Sequence, residues 1–364
     1  MKKIKKILII IQRSNGDVLL SHSLIDSLYI YYQSPQIDIL VNDDTLAVAK
    51  LLPNINRIHK FSYQKKKDNR WSQEKKIIKN IYRKYDLSIN LTSSDRSVFY
   101  ALIAAKKSIS AIEKMKSKSW WKKIFLYDYY YFDSNKHILL NNLDSLNLLK
   151  IKHNNIQKSP PINKKILLKV KSKLAENKIN NFIIFHPSAQ YSYKIYPQKF
   201  RDQLLTYLNK LGVAILITGG NSEIDIEIKK SLPTLPNVFD LIDETSLEEY
   251  FALSILSIAY IGMDTLNMHI AAGQDKPIFA IFGPTKLSMW SPWSNQLQIA
   301  TNEDKPFQSY GDIKIFQAKL PCVACGNAGC DNKQGKSICL ENIKPYDIFV
   351  EIENWYLNQW LLLK

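Results

Sequence analysis

Residues 7–41 read ILIIIQRSNGDVLLSHSLIDSLYIYYQSPQIDILV, and their pattern of apolar and polar residues indicates the class of fold. Ile7–Ile11 is a β-branched run bounded by charged residues, which is typical of a buried parallel strand. A polar turn then leads into Val18–Tyr32, where apolar residues recur at helical spacing. A second strand is predicted at Ile37–Val41. Strand, helix and strand in this order indicate a βαβ unit.

The same alternation resumes in the second half of the chain. Residues 152–165 are polar and include Pro160-Pro161, which predicts a linker. We therefore predict an α/β protein with two Rossmann-like domains, at residues 1–160 and 161–345, and a closing helix at 346–364. The strands predicted after the linker are Phe182–Phe185, Val213–Thr218, Ile258–Gly262 and Pro277–Phe282, and the helices are Phe200–Leu211, Leu247–Leu256 and Met268–Gly273.

Composition excludes several classes of protein. The chain has 364 residues, 46% of them apolar, which is ordinary globular composition. Its 4 cysteines lie between positions 322 and 339, so a disulfide scaffold is excluded. No run approaches the roughly 20 apolar residues of a transmembrane helix. The lysine-rich start imitates a signal peptide, but its apolar run ends at Gln12, which predicts a cytoplasmic protein.

Charge is unevenly distributed between the two halves. The net charge is +17, of which residues 1–150 contribute +14 and residues 151–364 contribute +3. Lysine pairs and triplets, at Lys65–Lys67, Lys75-Lys76 and Lys106-Lys107, favour attraction to an anionic membrane surface. The aromatic stretch Trp120–Phe132 is typical of an interfacial segment, with a packed helix as the alternative.

Four polar turns follow predicted strands, and parallel sheets bind ligands at the carboxyl ends of their strands. The first turn contains Arg13, Gly16 and Asp17. Gly16 permits a tight turn, and an aspartate at a helix start caps the helix amides. Because a carboxylate in such a turn can also take a proton from a hydroxyl, Asp17 has two candidate roles, helix cap and general base.

The second turn runs from His186 to Pro197. It places Ser188 and Ala189 a few residues before Lys194. Small residues followed by a lysine are suited to cradling a phosphate, although a loop with a solvated lysine has the same pattern.

The third and fourth turns also combine glycine with polar side chains. The third, GGNSE, ends at Glu223, which is either a ligand of ribose hydroxyls or a first-turn helix acid. The fourth, GMDTLNMH, contains Asp264 and Thr265, whose hydroxyl and neighbouring amides suit a diphosphate. His269 follows one turn later, with a structural role as the alternative.

In this order the turns resemble glycosyltransferase family 9, the ADP-heptose:lipopolysaccharide heptosyltransferases. The family's opening motif, an arginine shortly before Gly-Asp-Val, is matched at Arg13–Val18, which reads Arg-Ser-Asn-Gly-Asp-Val. Its motifs His-Pro-Gly-Ala, Lys-x-Trp-Pro, Asp-Thr-Gly-x-x-His-x-Ala-Ala and Phe-Gly-Pro-Thr are similar to residues 186–189, 194–197, 264–272 and 282–285. The resemblance extends over nearly the whole chain.

The resemblance implies a GT-B fold, in which the two domains face a central cleft and the closing helix at 346–364 often crosses back to the first domain. It also implies an inverting transfer of heptose from ADP-heptose to a hydroxyl of the lipopolysaccharide inner core, with Asp17 as base and Arg13 and Gly16 on the acceptor side. The expected acceptor is an anionic glycolipid of the lipid A–Kdo type at the cytoplasmic face of the inner membrane. No metal, cofactor or nucleic acid is expected. The donor-binding residues would be Ser188, Ala189, Lys194, Glu223, Asp264, Thr265, Leu266 and His269.

Departures from the family pattern leave alternatives open. Leu266 and Ser188 stand where the family has glycine, which leaves a different donor geometry or a different donor open as alternatives. A GT-B enzyme with another nucleotide sugar is therefore one alternative. A basic nucleic-acid-binding protein is another, although no known nucleic-acid motif occurs.

The late cysteines, Cys322, Cys325, Cys330 and Cys339, form a further candidate site. Four thiolates are a sufficient ligand set for zinc, but only the first pair has metal-ligand spacing. Reduced structural thiols are the other interpretation.

Overall fold

A computed structural model describes residues 4–63, 66–330, 335 and 337–362. The chain divides into two compact units, at residues 1–161 and 162–364. In each unit, helices pack against a sheet whose strands are mostly parallel. This architecture confirms the predicted α/β class.

The first unit contains a six-stranded sheet in which all strand pairs are parallel. Its strands are β1 (Lys6–Ile11), β2 (Gln36–Asn42), β3 (Ile55–Phe61), β4 (Leu87–Asn90), β5 (Lys107–Ile112) and β6 (Asp128–Tyr131). Its helices are α1 (Asn15–Leu19), α2 (His22–Tyr31), α3 (Leu46–Leu51), α4 (Lys66–Ile81), α5 (Asp95–Ala104), α6 (Lys116–Phe125) and α7 (Ile138–Leu148). The strand order is β3-β2-β1-β4-β5-β6.

The second unit contains a seven-stranded sheet. Its strands are β7 (Phe182–His186), β8 (Ala214–Ile217), β9 (Val238–Asp240), β10 (Ala259–Met263), β11 (Ile278–Phe282), β12 (Phe307–Tyr310) and β13 (Ile313–Gln317). Its helices are α8 (Lys164–Glu176), α9 (Gln198–Leu208), α10 (Glu223–Lys230), α11 (Leu247–Leu256), α12 (Leu266–Gly273), α13 (Leu287–Trp290), α14 (Ile338–Glu341) and α15 (Pro345–Leu362). The order is β12-β13-β11-β10-β7-β8-β9, with β12 antiparallel to β13.

Burial explains why the central strands form. Every side chain of Ile7–Ile11 is at most 1% exposed, since β1 lies between β2 and β4 with both faces covered. Fully burying such an aliphatic side chain contributes about 1.5–3 kcal/mol. The predicted strand at β1 is therefore confirmed, and its carboxyl end is fixed where Arg13 and Asp17 follow.

Two predicted elements are wrong in their extent. Val18–Tyr32 is not one helix: α1 ends at Leu19, and the Ser21 hydroxyl donates to the Val18 carbonyl at 2.7 Å where the chain turns into α2. The aromatic stretch 120–132 is not one helix either, because α6 ends at Phe125 and β6 begins at Asp128.

The predicted closing helix corresponds to α15, which packs against the second unit. Ile348, Phe349 and Ile352 are buried in the core of that unit, and the Trp355 ring lies 5.5 Å from the Phe279 ring. Within the described ranges, no helix combines the length and the apolar character needed to span a bilayer.

Candidate active site

The turn after β1 holds the carboxylate of Asp17 in a fixed position. Asp17 is the third residue of α1, and its Oδ2 accepts hydrogen bonds from the Ser14 amide at 3.0 Å and the Ser14 hydroxyl at 2.7 Å. This is a capping box in which Ser14 is the N-cap, so Asp17 supports the helix start as its third residue and is not the cap itself. Gly16 is the second residue of α1 and is buried, so the expected tight turn is the start of the helix.

Arg13 balances the charge of this buried carboxylate. The Arg13 Nε lies 2.9 Å from Asp17 Oδ1, and its guanidinium stacks 4.5 Å from the centre of the Phe132 ring. Asp17 is only 3% exposed. Within the part of the chain that the structure describes, Oδ1 accepts no hydrogen bond of good geometry. One carboxylate oxygen thus holds the helix start, and the other is buried beside the Arg13 guanidinium.

In the second unit, two of the predicted turns converge because their strands are neighbours. β7 and β10 pair in parallel, with His186 opposite Gly262. Both strands therefore end at the same edge of the sheet. There the Lys194 ammonium donates to Asp264 Oδ2 at 2.8 Å. The Lys194 side chain is 22% exposed and that of Asp264 is 7% exposed, so the pair is mostly buried and the lysine is its more accessible member.

This pairing keeps the lysine charged. Burial opposes the charged amine, but the neighbouring Asp264 carboxylate raises the pKa of Lys194 above its ordinary value. A charged ammonium at the carboxyl edge of the sheet is suited to a phosphate oxygen.

A neutral histidine, His186, ends β7 at the same edge of the sheet. Burial lowers the pKa of His186 to about 4, so its imidazole is uncharged at neutral pH. Its Nδ1 lies 3.0 Å from the Thr218 hydroxyl and 3.3 Å from the Asn267 amide. Gly262 allows β10 to approach, since a Cβ there would lie 2.6 Å from the His186 carbonyl oxygen.

Sequence reasoning missed Asp225, which joins the second and third turns. Burial works against its charge, but hydrogen bonds from Ser188 and Ser222 lower the pKa of Asp225 below its ordinary value. Gly219 is required beside it, because a Cβ there would lie 2.7 Å from Asp225 Oδ1. The pattern Ser222-x-x-Asp225, a capping box at α10, was the signal available in the sequence.

The remaining predicted donor residues lie in α12, at the starts of α10 and α12, and in the turn after β7. Glu223 is the first residue of α10, with an exposed side chain. Thr265 is the N-cap of α12 in extended conformation, and Leu266 is the first helical residue. A leucine fits there because helical backbone has negative φ, so the family glycine is not required for conformation. His269 is buried in the same helix, and its ring lies 6.3 Å from that of Trp290. Ala189 is buried after β7.

The cysteines are free thiols. Cys322, Cys325 and Cys330 are exposed, whereas burial raises the pKa of Cys339 to about 11. Residues 331–334 between them lie outside the described ranges. Among the side chains that the structure describes, no group of three or more His, Cys, Asp or Glu could hold a metal ion.

Comparisons with known proteins agree with this architecture. The chain is 26% identical to lipopolysaccharide heptosyltransferase 3 of Escherichia coli over 296 residues, which covers 78% of this chain and 85% of the relative. A solved glycosyltransferase family 9 structure from Veillonella parvula aligns with a TM-score of 0.74 at 16% identity, over 98% of this chain and 99% of the other. The E. coli ADP-heptose lps heptosyltransferase II aligns with a TM-score of 0.69 at 18% identity, over 97% and 99%.

These structural likenesses identify the fold as GT-B, with its two Rossmann-like units. The model of glycosyltransferase family 9 (heptosyltransferase) matches residues 75–317, about two thirds of the chain. The matched range includes the second, third and fourth turns, with the Lys194–Asp264 pair. The chain therefore belongs to glycosyltransferase family 9, the heptosyltransferase family, and is a glycosyltransferase.

Proposed function

We propose that this enzyme transfers a heptose from ADP-heptose to a hydroxyl of the lipopolysaccharide inner core, with inversion at the anomeric carbon. The observation that carries the proposal is the Lys194–Asp264 pair at the carboxyl edge of the second sheet. The E. coli relative is a lipopolysaccharide heptosyltransferase, and one structural neighbour is the E. coli ADP-heptose lps heptosyltransferase II. These names support the choice of donor and acceptor.

The donor would bind through its diphosphate. The Lys194 ammonium would contact phosphate oxygens, together with Ser188 and the amides that open α12 at Thr265. Helix-start amides carry partial positive charge and favour anions. The leaving diphosphate would be stabilised by the same groups, so the proposal does not call on a metal.

The other donor residues have roles that follow from their positions. Glu223, exposed at the start of α10, would accept hydrogen bonds from ribose hydroxyls. Asp264 would accept them from hydroxyls of the heptose. Ala189, Leu266 and His269 would line the pocket beside the phosphates.

The acceptor would bind the first unit. Asp17 Oδ1 takes the proton of the acceptor hydroxyl, whose oxygen attacks the anomeric carbon on the face opposite ADP. The bond between that carbon and the β-phosphate oxygen breaks, and its electron pair leaves with ADP. Arg13 and Gly16 would hold the acceptor side of the site.

The acceptor's chemistry implies a place in the cell. A lipid A–Kdo acceptor is anionic and anchored in a bilayer, and the net charge of +14 in residues 1–150 favours such a partner. We therefore propose a cytoplasmic enzyme that associates peripherally with the inner membrane and does not bind nucleic acid.

A panel of nucleotides tests the donor. ADP and ADP-heptose should raise the melting temperature of the purified protein, whereas UDP, GDP and CMP should not. Heptose transfer to lipid A–Kdo, followed by mass spectrometry, tests the reaction. Selective stabilisation by UDP or GDP would overturn the choice of heptose donor, and strongly salt-dependent binding to RNA or DNA without nucleotide stabilisation would overturn the enzyme's proposed role.

A further inference from the structure

Helix α6 and the residues that flank it, Met115 and Tyr127, present large apolar side chains to solvent. Apolar residues usually lie inside, and a contiguous exposed group marks an interaction site. We call this group the α6 surface; its members are Met115, Trp120, Ile124, Phe125 and Tyr127, which are 58%, 61%, 66%, 66% and 64% exposed.

The opposite side of α6 fixes the helix to the sheet. Leu126 and Trp121 pack with Val98 and Ile112 in a small core cluster. The exposed side chains are therefore not needed to hold α6 in place, and their apolar character calls for another partner.

A buried lysine anchors the same helix at the carboxyl edge. The Lys122 ammonium donates to the Ser93 carbonyl at 2.6 Å and to Glu113 at 2.7 Å, and it lies 2.8 Å from Asp95. Ser93 and Glu113 follow the carboxyl ends of β4 and β5. Asp17 follows β1 at the same edge, so α6 is attached to the edge that carries the proposed base.

The charges around the α6 surface are mostly positive. Residues 106–125 contain 7 lysines and 1 acidic residue, Glu113. That glutamate is paired with Lys122, while Asp133 lies 3.7 Å from the Lys114 ammonium. Asp128 at the start of β6 accepts a hydrogen bond from the Tyr129 amide. The acidic groups nearby thus have partners within the unit.

Two lysines also lie beside aromatic rings. The Lys107 ammonium is 5.5 Å from the centre of the Tyr127 ring, and Lys123 is 5.2 Å from that of Tyr131. Aromatic rings with lysines alongside are typical of segments at the boundary between lipid headgroups and acyl chains.

We propose that the α6 surface is the membrane-docking site of this enzyme, and that its partner is the headgroup region of an anionic bilayer. The inference rests on the proposed function, since a lipid-anchored acceptor must be met at a bilayer. The apolar side chains enter the interface and the lysines attract its anionic lipids. A second copy of the chain is a poorer partner, because two lysine-rich surfaces repel each other.

Sedimentation with lipid vesicles tests the proposal without donor or acceptor, so it is independent of the transfer reaction. The protein should bind vesicles of equimolar phosphatidylglycerol and phosphatidylcholine and bind pure phosphatidylcholine far more weakly. Ile124→Ser/Phe125→Ser should lower the partition coefficient about ten- to a hundredfold, since interfacial affinity scales with buried apolar area. High salt should weaken wild-type binding, because the lysine contribution is screened.

The control double variant is Leu168→Ser/Leu357→Ser, at two leucines of the second unit that are 63% and 53% exposed. It should bind vesicles as the wild type does. Both variants should keep the wild-type rate of transfer to a water-soluble, deacylated acceptor, which reports separately on the proposed function.

Several results would overturn the α6 surface as a membrane site. One is that the wild type binds neutral and anionic vesicles equally well, and another is that it binds neither. A third is that the two double variants lose the same amount of vesicle affinity. A dimer in analytical ultracentrifugation that Ile124→Ser/Phe125→Ser dissociates would assign the surface to a contact between copies instead.

Discussion

Replacing Lys194 and replacing Asp264 should change ADP affinity in different directions. Lys194 Nζ donates to Asp264 Oδ2 at 2.8 Å, so in the free enzyme the ammonium that would bind the diphosphate is held by a carboxylate. Lys194→Met removes the ammonium. Because a hydrogen bond to a charged group contributes about 1.5–3 kcal/mol, the dissociation constant of ADP should rise about ten- to a hundredfold.

Asp264→Asn should act in the opposite direction on ADP. The substitution keeps the size of the side chain and removes the negative charge that both holds Lys194 and repels a diphosphate. Removing this repulsion, about 1 kcal/mol, should leave the dissociation constant of ADP unchanged or lower it by up to about tenfold. The turnover of heptose transfer should still fall at least about tenfold, because the sugar loses an orienting contact.

Isothermal titration of ADP at near-neutral pH and low salt measures both effects. Lys276→Met is a matched control for the loss of a partly buried ammonium: Lys276 lies before β11, at the amino edge, and donates to the Ile255 and Ser257 carbonyls at 2.6 and 2.8 Å. That variant should bind ADP as the wild type does. The reasoning is refuted if Lys194→Met binds ADP at wild-type strength, or if Asp264→Asn weakens ADP as much as Lys194→Met.

Three further predictions concern the base, the sheet and pH. Asp17→Ala should lower kcat about 10²–10⁴-fold and leave the dissociation constant of ADP unchanged. It should also lower the free energy of unfolding by about 1 kcal/mol, because the capping box is lost. A fully active variant in the transfer assay would exclude Asp17 as the general base. Gly262→Ala should lower the free energy of unfolding, measured in urea, by about 1–3 kcal/mol, since its Cβ would lie 2.6 Å from a backbone oxygen. Gly220→Ala, whose Cβ would have its nearest neighbour at 3.3 Å, should lower it less. Equal losses of unfolding free energy in the two variants would contradict the packing argument. Burial lowers the pKa of His186 in the folded protein from 6.5 to about 4, so between these pH values only the unfolded chain binds the proton, and the free energy of unfolding should fall as pH drops from 6.5 to 4. His186→Gln should flatten this pH dependence. If urea titrations give the variant the same dependence of unfolding free energy on pH as the wild type, the result would count against a neutral buried histidine.

The sequence predicted what depends on local patterns. The run Ile7–Ile11 has one stable environment, a strand covered on both faces, and the structure contains that strand. The turns after β1, β7, β8 and β10 were also located, because polar residues end each apolar run. The alternative of a single helix over 120–132 is wrong because the aromatic stretch divides into α6 and the edge strand β6, and tyrosines suit an edge strand as well as a helix.

The pairing of Lys194 with Asp264 could not be predicted from the sequence. The two residues are 70 positions apart, and they meet because β10 inserts beside β7 although β8 and β9 come between them in the chain. Asp225 was missed for the same reason: its bond to Ser188 joins the turns after β7 and β8. Strand order depends on packing of the whole sheet, which no local motif records.

This arrangement gives the proposed donor site a specific electrostatic behaviour. His186 at the end of β7 is neutral, and Lys194 and Asp264 neutralise each other in the free enzyme. A diphosphate that takes the Lys194 ammonium leaves the Asp264 carboxylate, only 7% exposed, without its cation. A buried carboxylate without a cation requires hydrogen-bond donors, and sugar hydroxyls supply them. Binding of the diphosphate would therefore prepare Asp264 to accept hydrogen bonds from the heptose, and ADP alone would satisfy only half of the pair.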